Sequence, residues 1–289
     1  MMPPLQSFDA KEAPFAYIRS VKTESFVRWA METKAFADPS FKSVPSVIAI
    51  GVFDGMHPGH VAIVDETVKT ARESGSKSVV ITFSVNPKMA KGAMQNLGAL
   101  QSSRDLTEIL TIRGIDYHCV IDFSDDMSKL SGEEFIALLC TSYDVKAMVV
   151  GDSFRAGNPS HCVGPGQIEK LLLGYTSSAF LRVVPSVVKD GQVVSSSLIR
   201  RCLLTGDLAK AASLLGRAYS LDLRNAGTSQ KRLFDVRTLG LLLPKEGEYM
   251  VEATSDGKSV KAKAVVSESC LALELPVRMN PDRITFLGE

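Results

Sequence analysis

Two histidines lie close together in the ten-residue stretch GVFDGMHPGH, which runs from Gly51 to His60. His57 and His60 are three residues apart, so at the start of a helix both imidazoles lie on one side of its first turn and can face the same bound group. An imidazole can donate a hydrogen bond to a phosphate oxygen whether it is neutral or protonated. Gly55 permits a sharp turn, and Gly59 lets a nucleotide approach the backbone closely. These residue types at this spacing predict a phosphate-binding site.

The elements on either side of the motif support that prediction. Val47 to Ile50 is a short apolar run, which predicts a strand buried on both faces, and the apolar periodicity from Gly59 to Glu73 predicts a helix. A strand, a tight turn and a helix present free backbone N–H groups and the positive end of a helix dipole at the carboxyl end of the strand. The alternative to a phosphate site is an ordinary glycine turn beside two histidines whose hydrogen bonds are made within the protein.

Short apolar strands and helices continue to alternate after this unit. The predicted strands are Ser78 to Phe83, Tyr117 to Phe123, Lys146 to Gly151 and Phe180 to Val184, and the predicted helices are Leu106 to Arg113, Gly132 to Tyr143 and Gln167 to Leu173. This alternation indicates a parallel sheet that is covered on both faces. In such a sheet, ligands bind beyond the carboxyl ends of the strands.

The full motif resembles the GxFDGxHxGH signature of nucleotidyltransferases that carry an HxGH motif. It is most similar to the FAD synthetase (FMN adenylyltransferase) module of bacterial riboflavin kinase/FAD synthetases. The resemblance implies an α/β fold with a Rossmann-like parallel sheet, and a reaction in which ATP and FMN give FAD and pyrophosphate. It also implies that His57 and His60 contact the ATP phosphates and the transition state. The other predicted ATP-binding residues of the loop are Gly51, Phe53, Asp54, Gly55 and Gly59.

A second stretch, VSSSLIR, ends at Arg200 and resembles the ISSTxIR signature of the same enzymes. Three hydroxyls before an apolar helix pattern also suit a helix N-cap, but a cap explains one serine and not three serines with an arginine at the family spacing. The resemblance implies that Ser195, Ser196 and Ser197 bind ATP and that Arg200 contacts the departing pyrophosphate. The family usually has an arginine two residues before the first serine, and this chain has Val193 there.

Two polar segments at predicted strand ends match the flavin-side loops of the family in part. The segment TFSVNP resembles TFxPHP, and VGDSFRAG is similar to VGxDFRFG. The resemblance implies FMN contacts from Phe83, Asn86, Pro87, Asp152, Ser153 and Arg155. Asn86 replaces the histidine of the family pattern, and Ser153 replaces its aspartate or asparagine. A strand end followed by an Asn-Pro turn is the structural alternative for the first segment.

The motifs predict two domains. Residues 1–215 form the nucleotidyltransferase domain, with an N-terminal extension at 1–45 in which Phe26, Trp29, Ala30 and Phe36 predict a short amphipathic helix that ends near Asp38. After a last predicted helix at 208–215, the segment GRAYSL resembles the GRxYxI junction where the riboflavin kinase domain of the family begins. Alternating runs at 249–253, 260–266 and 270–275 predict a small antiparallel β domain at 216–289.

Kinase chemistry is predicted to be absent from this second domain, which resembles a truncated and non-catalytic riboflavin kinase. The kinases of the family hold metal-bound ATP with the Thr and Asn of a GFPTAN segment. Here the segment RTLGLLLP, from Arg237 to Pro244, has no threonine and asparagine at that spacing. Glu268 and Glu274 lie in no context that matches the catalytic glutamate of the family.

Composition excludes several other classes of protein. The charged residues nearly balance, with 33 Lys plus Arg against 32 Asp plus Glu, so no global field favours nucleic acid or an anionic membrane. The longest apolar runs are too short to span a bilayer, and Asp9, Lys11 and Glu12 lie where a signal peptide needs an apolar core. The five cysteines form no CxxC pair, and His118 and Cys119 point to opposite faces of a predicted strand, which disfavours a metal site.

We expect a cytoplasmic protein with small-molecule partners. The resemblance implies that Mg²⁺ accompanies ATP, while the metal ligands and the oligomeric state stay unassigned.

Three other functions stay open at this point. An HxGH adenylyltransferase or cytidylyltransferase with another phosphate acceptor would share both signatures, and the departures in the flavin-side loops favour this alternative. A non-catalytic nucleotide or flavin sensor is disfavoured by the intact His57, His60 and Arg200. A bifunctional enzyme with a cryptic kinase site is the third.

Overall fold

The computed structural model describes residues 31–36, 38–84, 98–122, 125–228, 233–235, 239–268, 270–276 and 279–288. The predicted FMN contacts Asn86 and Pro87 lie outside the described residues. The same holds for most of the helix predicted in the N-terminal extension, including Phe26, Trp29 and Ala30.

Six parallel strands form the first sheet. They are β1 (Glu32–Ala35), β2 (Pro45–Ile50), β3 (Lys77–Phe83), β4 (Tyr117–Ile121), β5 (Asp144–Gly151) and β6 (Phe180–Val184), in the order β1-β4-β3-β2-β5-β6. In the centre of the sheet, Val47 of β2 pairs with Ser78 of β3 and with Ala147 of β5. The strand order reverses at β2, so a crevice for a ligand opens between the carboxyl ends of β2 and β5.

Helices cover both faces of this sheet. They are α1 (Pro58–Glu73), α2 (Ser103–Ile112), α3 (Asp125–Lys129), α4 (Gly132–Ser142) and α5 (Pro165–Tyr175). Ala49 and Val80 pack with α1 and α2 on one face, while Ile48 and Ile50 pack with α4 and α5 on the other. This arrangement explains why β2 and β3 are almost continuously apolar. The predicted α/β fold with a doubly covered parallel sheet is confirmed.

Strand β1 corrects the prediction for the N-terminal extension. Glu32–Ala35 is a parallel strand paired with β4, so the prediction of a helix that ends near Asp38 is wrong for the described part. All of β1 except Lys34 is exposed. The sequence ETKA therefore has no buried face to produce a periodic pattern, and pairing at the edge of the sheet decides its conformation.

A second sheet is antiparallel and has seven strands. They are β9 (Ser220–Asp222), β10 (Gly227–Thr228), β11 (Leu233–Asp235), β12 (Gly247–Ser255), β13 (Lys258–Val266), β14 (Cys270–Glu274) and β15 (Arg283–Phe286), in the order β10-β11-β14-β13-β12-β15-β9. A separate hairpin consists of β7 (Val188–Lys189) and β8 (Gln192–Val193). The predicted small antiparallel unit is thereby confirmed.

Two helices that lie between the two sheets in chain order pack in the hydrophobic core of the antiparallel sheet. Leu198 and Leu203 of α6 (Ser196–Thr205) belong to the same buried cluster as Val251 and Phe286 of the second sheet, and so does α7 (Leu208–Leu215). We call the antiparallel sheet together with α6 and α7 the C-terminal unit. The helix that begins in the serine-rich motif therefore belongs to this unit, while the histidine motif follows β2 of the parallel sheet. A domain boundary near residue 215 stays a prediction. No helix among the described residues is long and apolar enough to cross a membrane.

Candidate active site

The loop between β2 and α1 has an unusual backbone. The φ angle is 49° at Phe53, 84° at Gly55 and 37° at Met56, and the amide of Met56 donates to the carbonyl of Phe53 at 3.3 Å. Left-handed backbone at the two residues that are not glycine costs about 1–3 kcal/mol each, and it persists only where the surroundings hold it. Both side chains are buried. The loop is therefore held in one conformation by packing.

The two predicted histidines lie together at the start of α1. The ring centroids of His57, the N-cap, and His60 are 3.7 Å apart, and the rings are stacked at 22°. The ring of Phe53 contacts that of His60 edge-to-face at 5.4 Å. In the part of the chain that the structure describes, neither buried Nδ1 atom has a hydrogen-bond partner. The buried Nδ1 of His118 is also unpaired among the described residues, so it is the stacking of two such rings at one helix start that suits a site where a ligand completes the hydrogen bonding.

Both imidazoles are neutral at pH 7. Burial lowers the pKa of His57 to about 4, and the nearby positive charge of Arg217 contributes to this shift. Burial, followed by the proximity of His57, also lowers the pKa of His60. Each neutral ring has one N–H group to donate, and the negative charge of a bound polyphosphate would favour a second proton.

Glycines in the motif make room for these rings. A Cβ atom at Gly59 would lie 3.2 Å from Cε1 of His57, and one at Gly51 would lie 3.2 Å from the ring of Phe53. At Gly55, where φ is positive, a Cβ atom would lie 2.8 Å from Cδ1 of Leu100. The positive φ favours glycine at Gly55, whereas a side chain at Gly51 or Gly59 would require the neighbouring ring to shift by a few tenths of an ångström.

A buried ion pair joins the two motifs. The carboxylate of Asp54 accepts hydrogen bonds from the guanidinium of Arg200 and from the amide of Leu100, the latter at 2.8 Å. Arg200 also donates to the carbonyl of Gly98 at 3.1 Å, and Ser196 Oγ donates to the carbonyl of Asp54 at 2.8 Å. Since Asp54 is 8% exposed and Arg200 3%, removal of one partner would leave an uncompensated buried charge.

This pair changes the interpretation of Arg200. Its guanidinium is directed at Asp54 and Gly98 inside the protein, so the contact with a departing pyrophosphate stays a prediction. What the structure does support is that Arg200 holds the start of α6 against the loop after β2.

The three predicted serines have three different environments. Ser195 is the N-cap of α6, and its Oγ accepts a hydrogen bond from the amide of Leu198 at 3.3 Å. For this serine the helix-cap interpretation is therefore correct. Ser196 bonds to the loop, as described above, and Ser197 is exposed. Their contacts with ATP stay predictions, but the bond from Ser196 to Asp54 brings the start of α6 to the loop that leads into α1.

Two residues that the sequence reasoning missed also contact the loop. Gln101 Nε2 donates to the carbonyl of Phe53 at 3.1 Å. Arg217 donates through Nη1 to the carbonyl of Met56 and through Nη2 to Oε1 of Gln101, both at 3.4 Å. Gln101 lies outside every motif, whereas Arg217 belongs to the segment GRAYSL, which was assigned only to the domain junction.

The predicted flavin-side residues that the structure describes lie at the ends of β3 and β5, on the two sides of β2. The carboxylate of Asp152 accepts from the amide and Oγ of Ser186 at 2.8 and 2.6 Å, and these bonds lower its pKa. Arg155 donates to the adjacent carbonyl of Phe154 at 2.7 Å, and Asp152, Ser153 and Arg155 are all exposed. Phe83 is the last residue of β3 and is partly buried. Their FMN contacts stay predictions.

The parallel sheet, the stacked histidines and the serine-rich start of α6 define a nucleotide-binding α/β protein. The chain belongs to the FAD synthetase family, whose family model matches residues 41–198. This match covers the whole histidine motif and the serine-rich motif as far as Leu198.

Curated relatives extend the similarity beyond that range. A bifunctional riboflavin kinase/FMN adenylyltransferase from Listeria monocytogenes is 27% identical over 229 residues, which are 75% of this chain and 70% of the relative. One of the same description from Buchnera aphidicola is 29% identical over 179 residues, 61% of this chain and only 56% of the relative. The crystal structure of a macrolide-efflux protein from Streptococcus pneumoniae matches 89% of this chain and 98% of its own, with a TM-score of 0.73 and 22% identity. At that identity the likeness shows the fold alone.

Proposed function

We propose that this protein is an FMN adenylyltransferase, which transfers the AMP moiety of ATP to FMN and forms FAD and pyrophosphate. The observation that carries the proposal is the stacked pair of His57 and His60 at the start of α1, in a loop joined to the serine-rich helix through Asp54 and Arg200. Membership of the FAD synthetase family and relatives described as FMN adenylyltransferases support the choice of substrates.

The chemistry needs little proton transfer. A phosphate oxygen of FMN is already anionic at neutral pH. It attacks the α-phosphorus of ATP, the new P–O bond forms, and the bond between the α-phosphorus and the bridging oxygen breaks, so that pyrophosphate leaves with the electron pair. Catalysis then depends on alignment of the two substrates and on stabilisation of the charge on the phosphates. The imidazole N–H groups of His57 and His60 and the positive end of the α1 helix dipole would supply that stabilisation.

Mg²⁺ would come to the site as part of the MgATP substrate. The described residues contain no group of three or more His, Cys, Asp or Glu side chains that could hold a metal ion. Asp54, the acidic residue of the motif, is bound to Arg200. Mg²⁺ is commonly held by substrate phosphates and water with one or two protein ligands, so this arrangement fits a metal that arrives with the nucleotide.

The antiparallel unit is proposed to lack riboflavin kinase activity, because the Thr and Asn of the kinase segment are missing from the sequence at 237–244. This chain matches 56% of the bifunctional relative from Buchnera aphidicola and 70% of the one from Listeria monocytogenes. A different phosphate acceptor is the second candidate function, because Ser153 departs from the family pattern in an exposed loop.

The test is incubation of the purified protein with MgATP and either FMN or riboflavin, with chromatographic separation of the flavins and a measurement of released pyrophosphate. We expect FAD from FMN and no new flavin from riboflavin. FMN or FAD formed from riboflavin would contradict the loss of kinase activity. If neither substrate gives a product but pyrophosphate is released with another phosphate acceptor, the second candidate is correct.

A further inference from the structure

We propose that Arg217, together with Gln101, is a positioning residue that fixes the histidine loop for catalysis and thereby makes the C-terminal unit part of the adenylyltransferase site. The inference rests on the proposed function. It concerns residues that lie outside the two nucleotidyltransferase signatures.

The loop needs support at two particular peptide groups. The carbonyls of Phe53 and Met56 belong to the two non-glycine residues of this loop that have positive φ, and each accepts a hydrogen bond from a side chain, Gln101 in one case and Arg217 in the other. The ring of Phe53 contacts His60, and Met56 directly precedes His57. Rotation of either peptide plane would therefore displace one of the two imidazoles.

The segment that carries Gln101 is held by the C-terminal unit. Ala99 pairs with Leu241 in an isolated parallel bridge: its amide donates to the carbonyl of Gly240 at 2.6 Å, and its carbonyl accepts from the amide of Leu242 at 2.8 Å. A Cβ atom at the preceding Gly98 would lie 2.2 Å from the backbone of Leu241, so the two segments are in close contact.

This pairing presents the residues after Ala99 to the loop. The amide of Leu100 donates to the carboxylate of Asp54 at 2.8 Å, and the side chain of Gln101 reaches the carbonyl of Phe53. The C-terminal unit thus supports the loop through the 98–101 segment, through α6 and Arg200, and through Arg217.

Arg217 also adds charge to the site. It follows Gly216, the C-cap of α7, where an added Cβ atom would lie 3.7 Å from the ring of Pro58 in the first turn of α1. The charge that acts on His57 is that of Arg217 from this junction, and the titratable ring of His60 from α1 stacks on the His57 ring. Arg217 favours the neutral form of His57.

The guanidinium is suited to this position because its planar group of donors reaches Met56 and Gln101 at the same time. A lysine would keep the charge but has a compact ammonium on a flexible stem. The variant Arg217→Lys therefore separates the charge from the geometry, and Gln101→Met removes a hydrogen bond to the loop without a change of charge.

The experiment compares Arg217→Met, Arg217→Lys and Gln101→Met with the natural protein by kcat, KM for ATP and FMN, and the pKa of His57 from NMR titration. We expect Arg217→Met to lower kcat on the order of 10- to 100-fold, with a smaller change in KM for ATP, because a displaced catalytic group lowers the rate in the bound complex. The pKa of His57 should rise. Arg217→Lys and Gln101→Met should also lower kcat, but with the pKa of His57 close to that of the natural protein.

The matched control is Arg224→Met. Arg224 also links the two units, through Asp222 and Glu108, but it does not contact the loop, so its kcat should be that of the natural protein. Unchanged kcat in all three test variants, with only a lower melting temperature, would overturn the proposal. If the natural protein makes no FAD, the pKa of His57 and the amide chemical shifts of residues 53–57 still test the positioning, so failure of the proposed function is distinguishable from failure of this inference. If Arg217→Met does not fold, the two other variants decide.

Discussion

The two ends of the proposed active site differ in how they are held. At the phosphate end, Asp54 and His57 are buried, and the loop that carries them is bonded to residues from three other segments of the chain. At the acceptor end, Asp152 and Arg155 are exposed, and the hydrogen bonds described for them join neighbouring loops or an adjacent residue. The phosphate end is therefore preorganised, whereas the acceptor end has freedom to adjust to its ligand.

This difference has an energetic consequence. Removal of one partner from a buried ion pair costs about 3–5 kcal/mol, while an exposed pair contributes about 0–1 kcal/mol. Substitutions at the phosphate end should therefore lower both stability and rate. Substitutions at the acceptor end should change the apparent affinity for the acceptor and leave stability nearly unaltered.

The largest effect is expected from separation of the ion pair at the phosphate end. Asp54→Asn and Arg200→Met should each lower the free energy of unfolding by about 3–5 kcal/mol, because each leaves one buried charge uncompensated. The double variant should lose less than the sum of the two. Urea unfolding measures these values, and the matched control is the partly exposed pair of Arg113 with Asp65, whose side chains are 26% and 48% exposed and for which Asp65→Asn should cost less than about 1 kcal/mol. A loss below 1 kcal/mol in both single variants would contradict the view that this end is rigidly held.

The next effect is on the catalytic rate. His60→Ala should lower kcat on the order of 100-fold or more, because it removes a donor to the transition state. His118→Ala is the control. His118 is also buried, but it lies on β4 and is hydrogen-bonded to Thr82 on β3, away from the histidine loop. Steady-state FAD formation measures both variants. A near-normal rate for His60→Ala would show that the stacked imidazoles are not catalytic.

A moderate effect is expected from pH. Because the pKa of His57 is lowered to about 4 in the folded protein, protonation favours the unfolded chain, whose histidines titrate near 6.5. The contribution to stability is complete above pH 6.5 and is lost as the pH falls towards 4, with a loss on the order of 1 kcal/mol at pH 5.5. Urea unfolding between pH 7.5 and 5 measures it. In His57→Asn this part of the pH dependence should disappear, and an unchanged pH dependence in that variant would assign the loss to other groups.

The sequence predicted the local parts of the phosphate end well. The strand before the motif, the helix after it and the proximity of His57 to His60 all follow from residues that are neighbours in the chain. Their patterns are strong because β2 is buried on both faces and α1 begins with a proline.

Contacts between distant segments could not be predicted in the same way. Asp54 and Arg200 were both candidate site residues, but they are separated by 146 positions, and no local pattern indicates that they bond to each other rather than to a ligand. Gln101 belongs to no recognisable motif, so its sequence context gives no sign of its contact with the loop. The positive φ of Phe53 and Met56 is contrary to the usual backbone preference of residues other than glycine. These features depend on tertiary packing, which periodicity does not report.

The smallest effect on stability is expected at the acceptor end. Arg155→Met should raise KM for FMN several-fold if its charge meets the acceptor, and should change the free energy of unfolding by less than about 0.5 kcal/mol because the side chain is exposed. Arg182→Met is the matched control: Arg182 is an exposed arginine on β6 that lies near Phe180 and Glu66, and its loss should leave KM unaltered. An unchanged KM for FMN in Arg155→Met would favour an acceptor that does not use this loop. A loss of stability as large as that of Asp54→Asn would mean that the two ends are held alike.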